Sequence, residues 1–230
     1  MLHTVDLSLC FVIKERSRQI WRGRVLELFP TCIDSVARAW RPEDRIEVVV
    51  ADYGSTDWPL LEWLPERLGG INCKVVAADG DFSRGRGLNL AAGMASLSNL
   101  LFLDADMIIP RELLTLATHH ARSGRVFVPV YRDLDENGID CGERTDGYGS
   151  VAISRSIFVT TRNWPEFYSW GGEDTVFYEE LTKRRSVVRH EVSGFYHQWH
   201  PHEFKERFYS RRADSDYNEY RHRQAQAGNS

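Results

Sequence analysis

The chain has 230 residues, 42% apolar and 12% aromatic, which is enough for one domain with a large core, or one domain with an appendage. Its net charge of −4 argues against a general nucleic-acid-binding protein, because such proteins need a basic surface. No apolar stretch approaches the roughly 20 residues of a membrane helix, and the first residues lack a secretory signal pattern. The four scattered cysteines form no C-x-x-C pair, so we predict a reduced, cytoplasmic protein.

Short apolar runs alternate with helical patterns through the first half of the chain. We predict strands over residues 5–13, 45–51, 72–78, 99–103 and 126–130. We predict helices over residues 17–36, with an interruption at Pro30, and over 57–68, 83–97 and 110–123. This alternation predicts an α/β fold with a mostly parallel central sheet flanked by helices on both faces.

The pattern becomes less regular after residue 130. The polar, glycine-containing residues 133–148 predict a long, mobile loop. Residues 150–153 predict a short strand. Residues 173–183 predict a helix that is entered through Trp170-Gly171-Gly172.

The segment after Glu203 is strongly charged and predicts a helix that ends in disorder from Gln224 onward. We therefore divide the chain into a domain at 1–203 and a charged C-terminal helix or tail at 204–230. The basic residues of this segment fit a solvated helix face, and the alternative is peripheral docking on an anionic membrane surface. They are Lys205, Arg207, Arg211, Arg212, Arg221 and Arg223.

An apolar run of strand length ends in two carboxylates one residue apart, Asp104 and Asp106. Mg²⁺ and Mn²⁺ take oxygen ligands, usually one or two protein carboxylates together with substrate phosphates. In open α/β sheets, ligands bind at the carboxyl ends of the strands. The pair therefore indicates a metal-nucleotide site, and the alternative is a solvated turn, in which aspartate is common.

Trp170-Gly171-Gly172 is followed directly by Glu173 and Asp174 at a predicted helix N-terminus, where the helix dipole favours ionised carboxylates. An ionised carboxylate beside a sugar hydroxyl can act as a general base. The glycines allow close approach of a ligand to the backbone, and the indole offers a face for a pyranose ring. Helix capping is the alternative, but it leaves the tryptophan unexplained.

Three histidines lie close together late in the chain: His197, His200 and His202. Imidazole can complete a Mn²⁺ site that aspartate oxygens begin. The spacing does not match a closed structural zinc site, and no cysteine accompanies the histidines. A structural role is the alternative for each of them.

These motifs occur in an order and spacing that resemble the GT-A-fold glycosyltransferases. The stretches that carry the resemblance are residues 52–57, 82–89, 103–106, 170–174 and 196–198. Within that fold the chain resembles the inverting group with family-two enzymes, chondroitin-polymerase-type domains and β-1,4-galactosyltransferases, over about residues 5–202. The resemblance implies a GT-A nucleotide-diphospho-sugar transferase fold. It also implies a metal-dependent inverting hexosyltransferase that uses a UDP-sugar donor.

The resemblance further implies roles for single residues. Asp174 would be the catalytic base. The residues implied to contact the acceptor or the donor sugar are Glu173, Trp170 and Gly172. The residues implied to hold the nucleotide are Lys14, Arg16, Asp52, Phe82, Arg84 and Asp104. The implied ligands of Mn²⁺ or Mg²⁺ are Asp106 and His197, with His200 and His202 as alternatives.

We therefore predict an enzyme that moves a sugar from a UDP-sugar to a carbohydrate or lipid-linked acceptor hydroxyl, in polysaccharide or glycolipid synthesis. One alternative is a sugar-nucleotide pyrophosphorylase, which would carry a glycine-rich loop after the first strand, where this chain has Lys14-Glu15-Arg16. The other is a non-catalytic nucleotide- or sugar-binding module, which would not need Asp174. From the residues alone, Phe82 also fits the core and Arg84 a solvated helix face.

Overall fold

The computed structural model describes residues 4–228, without side-chain detail at positions 205, 206 and 228. The strands are β1 (Asp6–Ile13), β2 (Gln19–Trp21), β3 (Arg24–Leu26), β4 (Arg45–Asp52), β5 (Asn72–Ala77), β6 (Asn99–Phe102), β7 (Met107–Ile108), β8 (Val126–Phe127), β9 (Val130–Leu134), β10 (Asp140–Arg144), β11 (Val151–Ser154), β12 (Val187–Val188) and β13 (Glu191–His197). The helices are α1 (Leu28–Ala39), α2 (Leu60–Leu68), α3 (Arg84–Met94), α4 (Arg111–Arg122), α5 (Arg155–Phe158), α6 (Glu173–Arg184), α7 (Glu203–Glu206) and α8 (Ser215–Gly228). Among these helices, none has both the length and the apolar character needed to cross a membrane.

A seven-stranded sheet, in the order β12-β8-β11-β6-β1-β4-β5, forms the centre of the molecule. Its strands β1, β4, β5 and β6 are parallel, and β11 is antiparallel to its neighbours β6 and β8. The central strand β1 is buried along its whole length. Such burial on both faces is typical of parallel sheets that are covered by helices. The predicted α/β architecture with a mostly parallel sheet is confirmed.

Helices cover both faces of this sheet, and alternate residues of β1 pack against each cover. Leu9 and Phe11 belong to a core cluster with residues of α1, α2 and α4. Cys10 and Val12 point the other way and belong to a second cluster with residues of α3 and α6. Because side chains alternate along a strand, one apolar run supplies both cores.

The hairpin β2–β3 replaces the first half of the helix that we predicted over residues 17–36. Arg22 and Gly23 both have positive φ, 48° and 77°, and join Trp21 to its partner Arg24. This two-residue turn matches the right-handed twist of a hairpin. Pro30 lies in the first turn of α1 rather than interrupting a helix. No intrahelical acceptor is available for a backbone N–H there, so proline is tolerated.

A second hairpin, β9–β10, replaces the long mobile loop predicted over residues 133–148. It belongs to a four-stranded sheet in the order β10-β9-β13-β7. The Asp135 carboxylate accepts hydrogen bonds from the backbone N–H groups of Asn137 and Ile139, both at 2.8 Å, and so fixes the turn. The strands carry polar residues on both faces because both faces are partly exposed. The apolar alternation that indicates a strand is therefore absent from the sequence.

The segment after residue 203 packs against the rest of the chain. Phe204 is buried, and the Asp216 carboxylate accepts a hydrogen bond of 2.9 Å from the backbone N–H of Ser169. Helix α8 continues through Gln224 to Gly228, where we predicted disorder, and positions 229 and 230 lie outside the described residues. The boundary at residue 203 stays a prediction, and these contacts cross it.

Candidate active site

A cavity of about 230 Å³ lies at the carboxyl ends of β1 and β6. It brings together eleven of the predicted site residues: Lys14, Arg16, Phe82, Arg84, Asp104, Asp106, Trp170, Glu173, Asp174, His197 and His200. Strands β1 and β6 are parallel neighbours, so the residues that follow them lie at the same edge of the sheet.

Three predicted site residues do not line this cavity: Asp52, Gly172 and His202. The Asp52 carboxylate accepts a hydrogen bond of 2.9 Å from the backbone N–H of Ser55 and stabilises the turn after β4. The His202 ring lies 5.9 Å from the Trp170 ring. The structure thus gives these residues positions around the site rather than in its wall.

Asp106, His197 and His200 form a cluster that can hold a metal ion, with one ligand atom of each within 4.8 Å of the others. The Nε2 atoms of His197 and His200 lie 3.7 Å and 3.2 Å from the two Asp106 carboxylate oxygens. The Oδ1 atom of Asp106 is buried and has no hydrogen-bond partner in the described part of the chain. One carboxylate with two imidazoles is a donor set that suits Mn²⁺. His200 is therefore a member of the cluster and not merely an alternative to His197.

The hydrogen bond at the far side of His200 sets the direction of its ring. Its Nδ1 lies 3.0 Å from the carbonyl oxygen of Pro201. A carbonyl only accepts, so Nδ1 carries the proton and Nε2 faces Asp106. Burial opposes ionisation of Asp106, but the charge of His197 and the hydrogen bond from His200 hold the pKa of its carboxyl below the ordinary range. The carboxylate is thus ionised and ready for a cation.

Arg84 is buried and orients Asp104. Its Nε donates a hydrogen bond of 2.7 Å to Asp104 Oδ1, and its Nη2 donates one of 2.9 Å to the carbonyl of Gly149. The guanidinium carbon lies 5.0 Å from the centre of the Trp164 ring. A fixed, charged fork of this kind orients a carboxylate well. The alternative of a solvated helix face is wrong for Arg84.

Asp174 lies in the first turn of α6 and borders the cavity. One oxygen accepts a hydrogen bond of 2.8 Å from the backbone N–H of Thr175, and the other lies 3.4 Å from the backbone nitrogen of Tyr148. The positive end of the helix dipole lies on the same side of the carboxylate as these donors. The side chain is only partly buried, so a ligand in the cavity can reach it.

Glu173 differs from its neighbour Asp174 because it is buried. Its Oε1 lies 3.6 Å from Arg84 Nη1, and its Oε2 is buried with no hydrogen-bond partner among the described residues. Burial raises the pKa of the Glu173 carboxyl to about 7, against the opposing charge of Arg84 and with added repulsion from Asp174. The first turn of α6 therefore presents one buried carboxyl group, Glu173, and one partly exposed carboxyl group, Asp174.

Glu173→Gln is expected to change how stability depends on pH. The folded wild type keeps the Glu173 proton to higher pH than the unfolded chain does, so its free energy of unfolding falls as pH rises from 4.5 to about 7. The glutamine does not titrate, so the variant should gain about 1–3 kcal/mol on the wild type over this interval. Urea unfolding at several pH values measures the difference. Glu112→Gln, at an exposed carboxylate in the first turn of α4, is the matched control. Parallel curves for wild type and Glu173→Gln would exclude a shifted pKa.

The glycines at 171 and 172 admit the C-terminal segment of the chain itself. A Cβ atom at Gly171 would lie 2.3 Å from an Asp214 carboxylate oxygen, and one at Gly172 would lie 2.4 Å from the Tyr217 ring. Both glycines have positive φ, 101° and 85°. The interpretation that both glycines serve close approach of a ligand is therefore incomplete. They let residues 214–217 pack on the turn that carries Trp170.

Gly172→Ala is expected to destabilise the protein more than Gly138→Ala. Both glycines have positive φ, 85° and 78°, so both variants lose about 1–2 kcal/mol of backbone free energy. A Cβ atom at Gly138 meets nothing within 4 Å, whereas Gly172→Ala also forces Tyr217 to move. We expect a further loss of about 1–3 kcal/mol, measured by urea unfolding. Equal losses in the two variants would mean that Tyr217 moves aside without cost.

Three aromatic residues of the cavity wall were missed from the sequence: Tyr131, Phe208 and Tyr209. The Tyr209 ring lies 5.0 Å from the Phe82 ring, and the Lys14 ammonium lies 5.4 Å from the centre of the Phe208 ring. Phe208 and Tyr209 stand adjacent within an otherwise charged stretch. That pairing is the signal in the sequence that could have indicated a buried position for this segment.

Comparison with known proteins agrees with this geometry. Residues 24–164 match the family model described as glycosyl transferase family 2. The chain is 30% identical over 187 residues to chondroitin sulfate N-acetylgalactosaminyltransferase 1 of Homo sapiens, a match that covers 69% of this chain and 35% of that protein. The chain thus spans about a third of the length of the curated relatives it matches.

Two solved structures show the same fold. S. aureus TarS 1-349 in complex with UDP-GlcNAc is similar with a TM-score of 0.67 and 17% identity, over 85% of this chain and 59% of that one. The mannosyltransferase PcManGT from Pyrobaculum calidifontis, in complex with GDP-Man and Mn²⁺, is similar with a TM-score of 0.63 and 13% identity, over 89% and 59%. The predicted GT-A fold is confirmed.

Proposed function

The chain belongs to glycosyl transferase family 2, and from this premise we propose that it is a metal-dependent inverting enzyme that moves a sugar from a UDP-sugar to a carbohydrate hydroxyl. The observation that carries the proposal is that Asp174 and the cluster of Asp106, His197 and His200 border the same cavity. The cluster would bind a cation and the diphosphate, and Asp174 would act as the catalytic base. Family membership favours sugar transfer over the pyrophosphorylase and the non-catalytic module.

The donor set of the cluster fits Mn²⁺ better than Mg²⁺, because two of its three ligands are imidazoles and Mg²⁺ prefers oxygen ligands. Asp106, His197 and His200 would hold the ion, which supplies, when bound, positive charge to the leaving diphosphate. The Mn²⁺ bound in PcManGT, which has the same fold, supports the use of a divalent cation.

Cationic and aromatic side chains on the β1 side of the cavity suit a nucleoside diphosphate. Arg16 donates a hydrogen bond of 2.7 Å from Nη2 to the carbonyl of Phe204, while its Nη1 is buried without a partner among the described residues. Lys14 lies nearby and offers a second charge to the phosphates. Phe82 and Tyr209 would form an apolar wall against the nucleobase. The UDP-GlcNAc bound to TarS supports a uridine nucleotide.

Asp174 would accept the proton of an acceptor hydroxyl. As that proton leaves, the hydroxyl oxygen attacks the anomeric carbon, and the bond from this carbon to the diphosphate oxygen breaks on the opposite face. The electron pair of the broken bond leaves with the nucleoside diphosphate, and the configuration inverts in one step. Trp170 and Glu173 line the same cavity as Asp174 and would contact the sugars. No covalent enzyme intermediate is needed.

Peripheral contact with a membrane would rest on few basic residues. Arg211 forms an ion pair with Asp216, and Arg221 forms one with Glu179. These pairs neutralise charge that docking on anionic lipid would use. Arg212, which is exposed, is the clearest remaining candidate for such contact.

A transfer experiment tests the proposed function. UDP-N-acetylgalactosamine is the first donor to try and chondroitin-type oligosaccharides are the first acceptors, because the curated relatives are named chondroitin sulfate N-acetylgalactosaminyltransferases. We expect a Mn²⁺-dependent product whose new linkage is β, because the donor is α-linked and the reaction inverts. The anomeric proton coupling in the NMR spectrum of the product reports this configuration. An α-linked product would contradict the single-step mechanism.

A further inference from the structure

The four strands of the smaller sheet place four charged or metal-binding side chains in a row. Arg144 ends β10, Asp133 lies in β9, His197 ends β13, and Asp106 directly precedes β7. His197 is the register partner of Asp133 on one side and of Met107, the residue after Asp106, on the other. The hairpin β9–β10 is thereby joined to the candidate metal site through backbone pairing.

The contacts along this row are specific. The Oδ1 atom of Asp133 lies 3.1 Å from His197 Nδ1, and the opposite ring nitrogen, Nε2, lies 3.7 Å from Asp106 Oδ1. An ionised carboxylate only accepts hydrogen bonds, so Nδ1 must carry the proton. Nε2 then faces Asp106, and a cation that bound there would replace the Nε2 proton of the charged ring and meet the Nε2 lone pair.

Arg144 fixes the other oxygen of the same carboxylate. Its Nε and Nη2 both lie 2.8 Å from Asp133 Oδ2. Oδ2 therefore accepts hydrogen bonds from Arg144, and Oδ1 contacts His197. The partner of a metal-binding histidine fixes its tautomer and ring orientation, and loss of such a partner typically costs 10–100-fold in metal affinity.

We propose that Asp133 is a positioning residue for the metal site, which holds His197 in the Nδ1–H tautomer, and that Arg144 fixes which oxygen of Asp133 does so. This inference rests on the proposed function, since it assigns His197 as a ligand. It also gives the β9–β10 hairpin a role in the site, where the sequence predicted a loop.

The isosteric variant Asp133→Asn is expected to reverse the tautomer of His197. Arg144 is a donor, so it requires the amide oxygen at the position of Oδ2. The amide NH₂ group must then take the position of Oδ1 and donate to His197 Nδ1. That hydrogen bond moves the imidazole proton to Nε2, which blocks the nitrogen that faces Asp106. Removal of Arg144 frees the amide to rotate and to accept from Nδ1.

The test is the affinity of the full chain for Mn²⁺ alone. The electron paramagnetic resonance signal of the free ion measures this affinity. We expect Asp133→Asn to weaken binding about 10–100-fold, and the double variant Asp133→Asn with Arg144→Ala to recover most of that loss. Asp140→Asn is the matched control, because Asp140 pairs with Arg132 in the same hairpin without contacting a histidine. Urea unfolding in the presence of a chelator checks that all variants fold.

A second readout needs no metal. In ¹⁵N NMR spectra of the metal-free protein, recorded at a pH at which the His197 ring is neutral and with its signal assigned through His197→Gln, we expect the Nδ1–H tautomer in wild type and the Nε2–H tautomer in Asp133→Asn. The same tautomer in both proteins, or no recovery in the double variant, would overturn the inference. Wild type that binds no Mn²⁺ but shows the tautomer switch would overturn the metal site of the proposed function while leaving the role of Asp133 supported.

Discussion

Asp174→Asn is expected to lower the rate of sugar transfer by about 10²- to 10⁴-fold, the usual contribution of a general base, while the affinity for UDP stays within a few-fold of wild type. The amide has the shape of the carboxylate but cannot take the proton of the acceptor hydroxyl. The proposed nucleotide side of the cavity consists of Lys14, Arg16 and Phe82 and does not include this side chain. Initial rates of transfer and calorimetric titration with UDP measure the two quantities separately.

Glu112→Gln is the matched control for Asp174→Asn. Glu112 also lies in the first turn of a helix, α4, but it is exposed and does not line the cavity. Glu112→Gln should therefore transfer sugar at the wild-type rate. Wild-type turnover by Asp174→Asn would remove Asp174 from the mechanism.

Asp106→Ala is expected to abolish the dependence of UDP binding on Mn²⁺, with a loss of at least about 100-fold in Mn²⁺-supported affinity. The variant removes the only carboxylate of the cluster, which lies between His197 and His200, and leaves the two imidazoles to hold the cation alone. UDP affinity in the presence of a chelator should change far less, because it depends on the cationic residues. Calorimetric titrations with and without Mn²⁺ give both values.

Two further variants separate loss of the metal from loss of the fold. Asp106→Asn keeps the shape of the side chain and should lose Mn²⁺-dependent affinity nearly as strongly, since it removes the charge. Asp81→Ala removes an exposed aspartate outside the cavity wall and should bind as wild type does. Mn²⁺-dependent UDP affinity that is unchanged in Asp106→Ala would rule out this cluster as the metal site.

The central part of the fold and of the site was predictable because its signals are local. Apolar runs of strand length gave β1, β4, β5 and β6, and parallel neighbours end at the same edge of a sheet. That one rule places Lys14 beside Asp104 and Asp106, although about ninety residues separate them in sequence. The same reasoning correctly located Asp174 at a helix N-terminus.

The parts that were missed depend on contacts between distant segments. Residues 133–144 carry the polar pattern of a loop, and only pairing of β9 with β13 shows that they form part of a sheet. Phe208 and Tyr209 became part of the cavity because the chain after α7 returns across it. The choice between His200 and His202 depends on the backbone path after β13, which no periodicity encodes. The glycines at 171 and 172 were noticed, but the segment that packs on them lies some forty residues later.

Release of UDP from a panel of UDP-sugars, in Mn²⁺ and again in chelator, tests the central claim most directly. Slow hydrolysis of the donor needs no acceptor, so the outcome does not depend on which acceptor the enzyme uses. The proposed function predicts that at least one donor, with UDP-N-acetylgalactosamine the first to examine, releases UDP in Mn²⁺ and that chelator and Asp106→Ala stop the release. Equal release in Mn²⁺ and in chelator, or release that Asp106→Ala leaves unchanged, would contradict a metal-dependent UDP-sugar transferase built on this site.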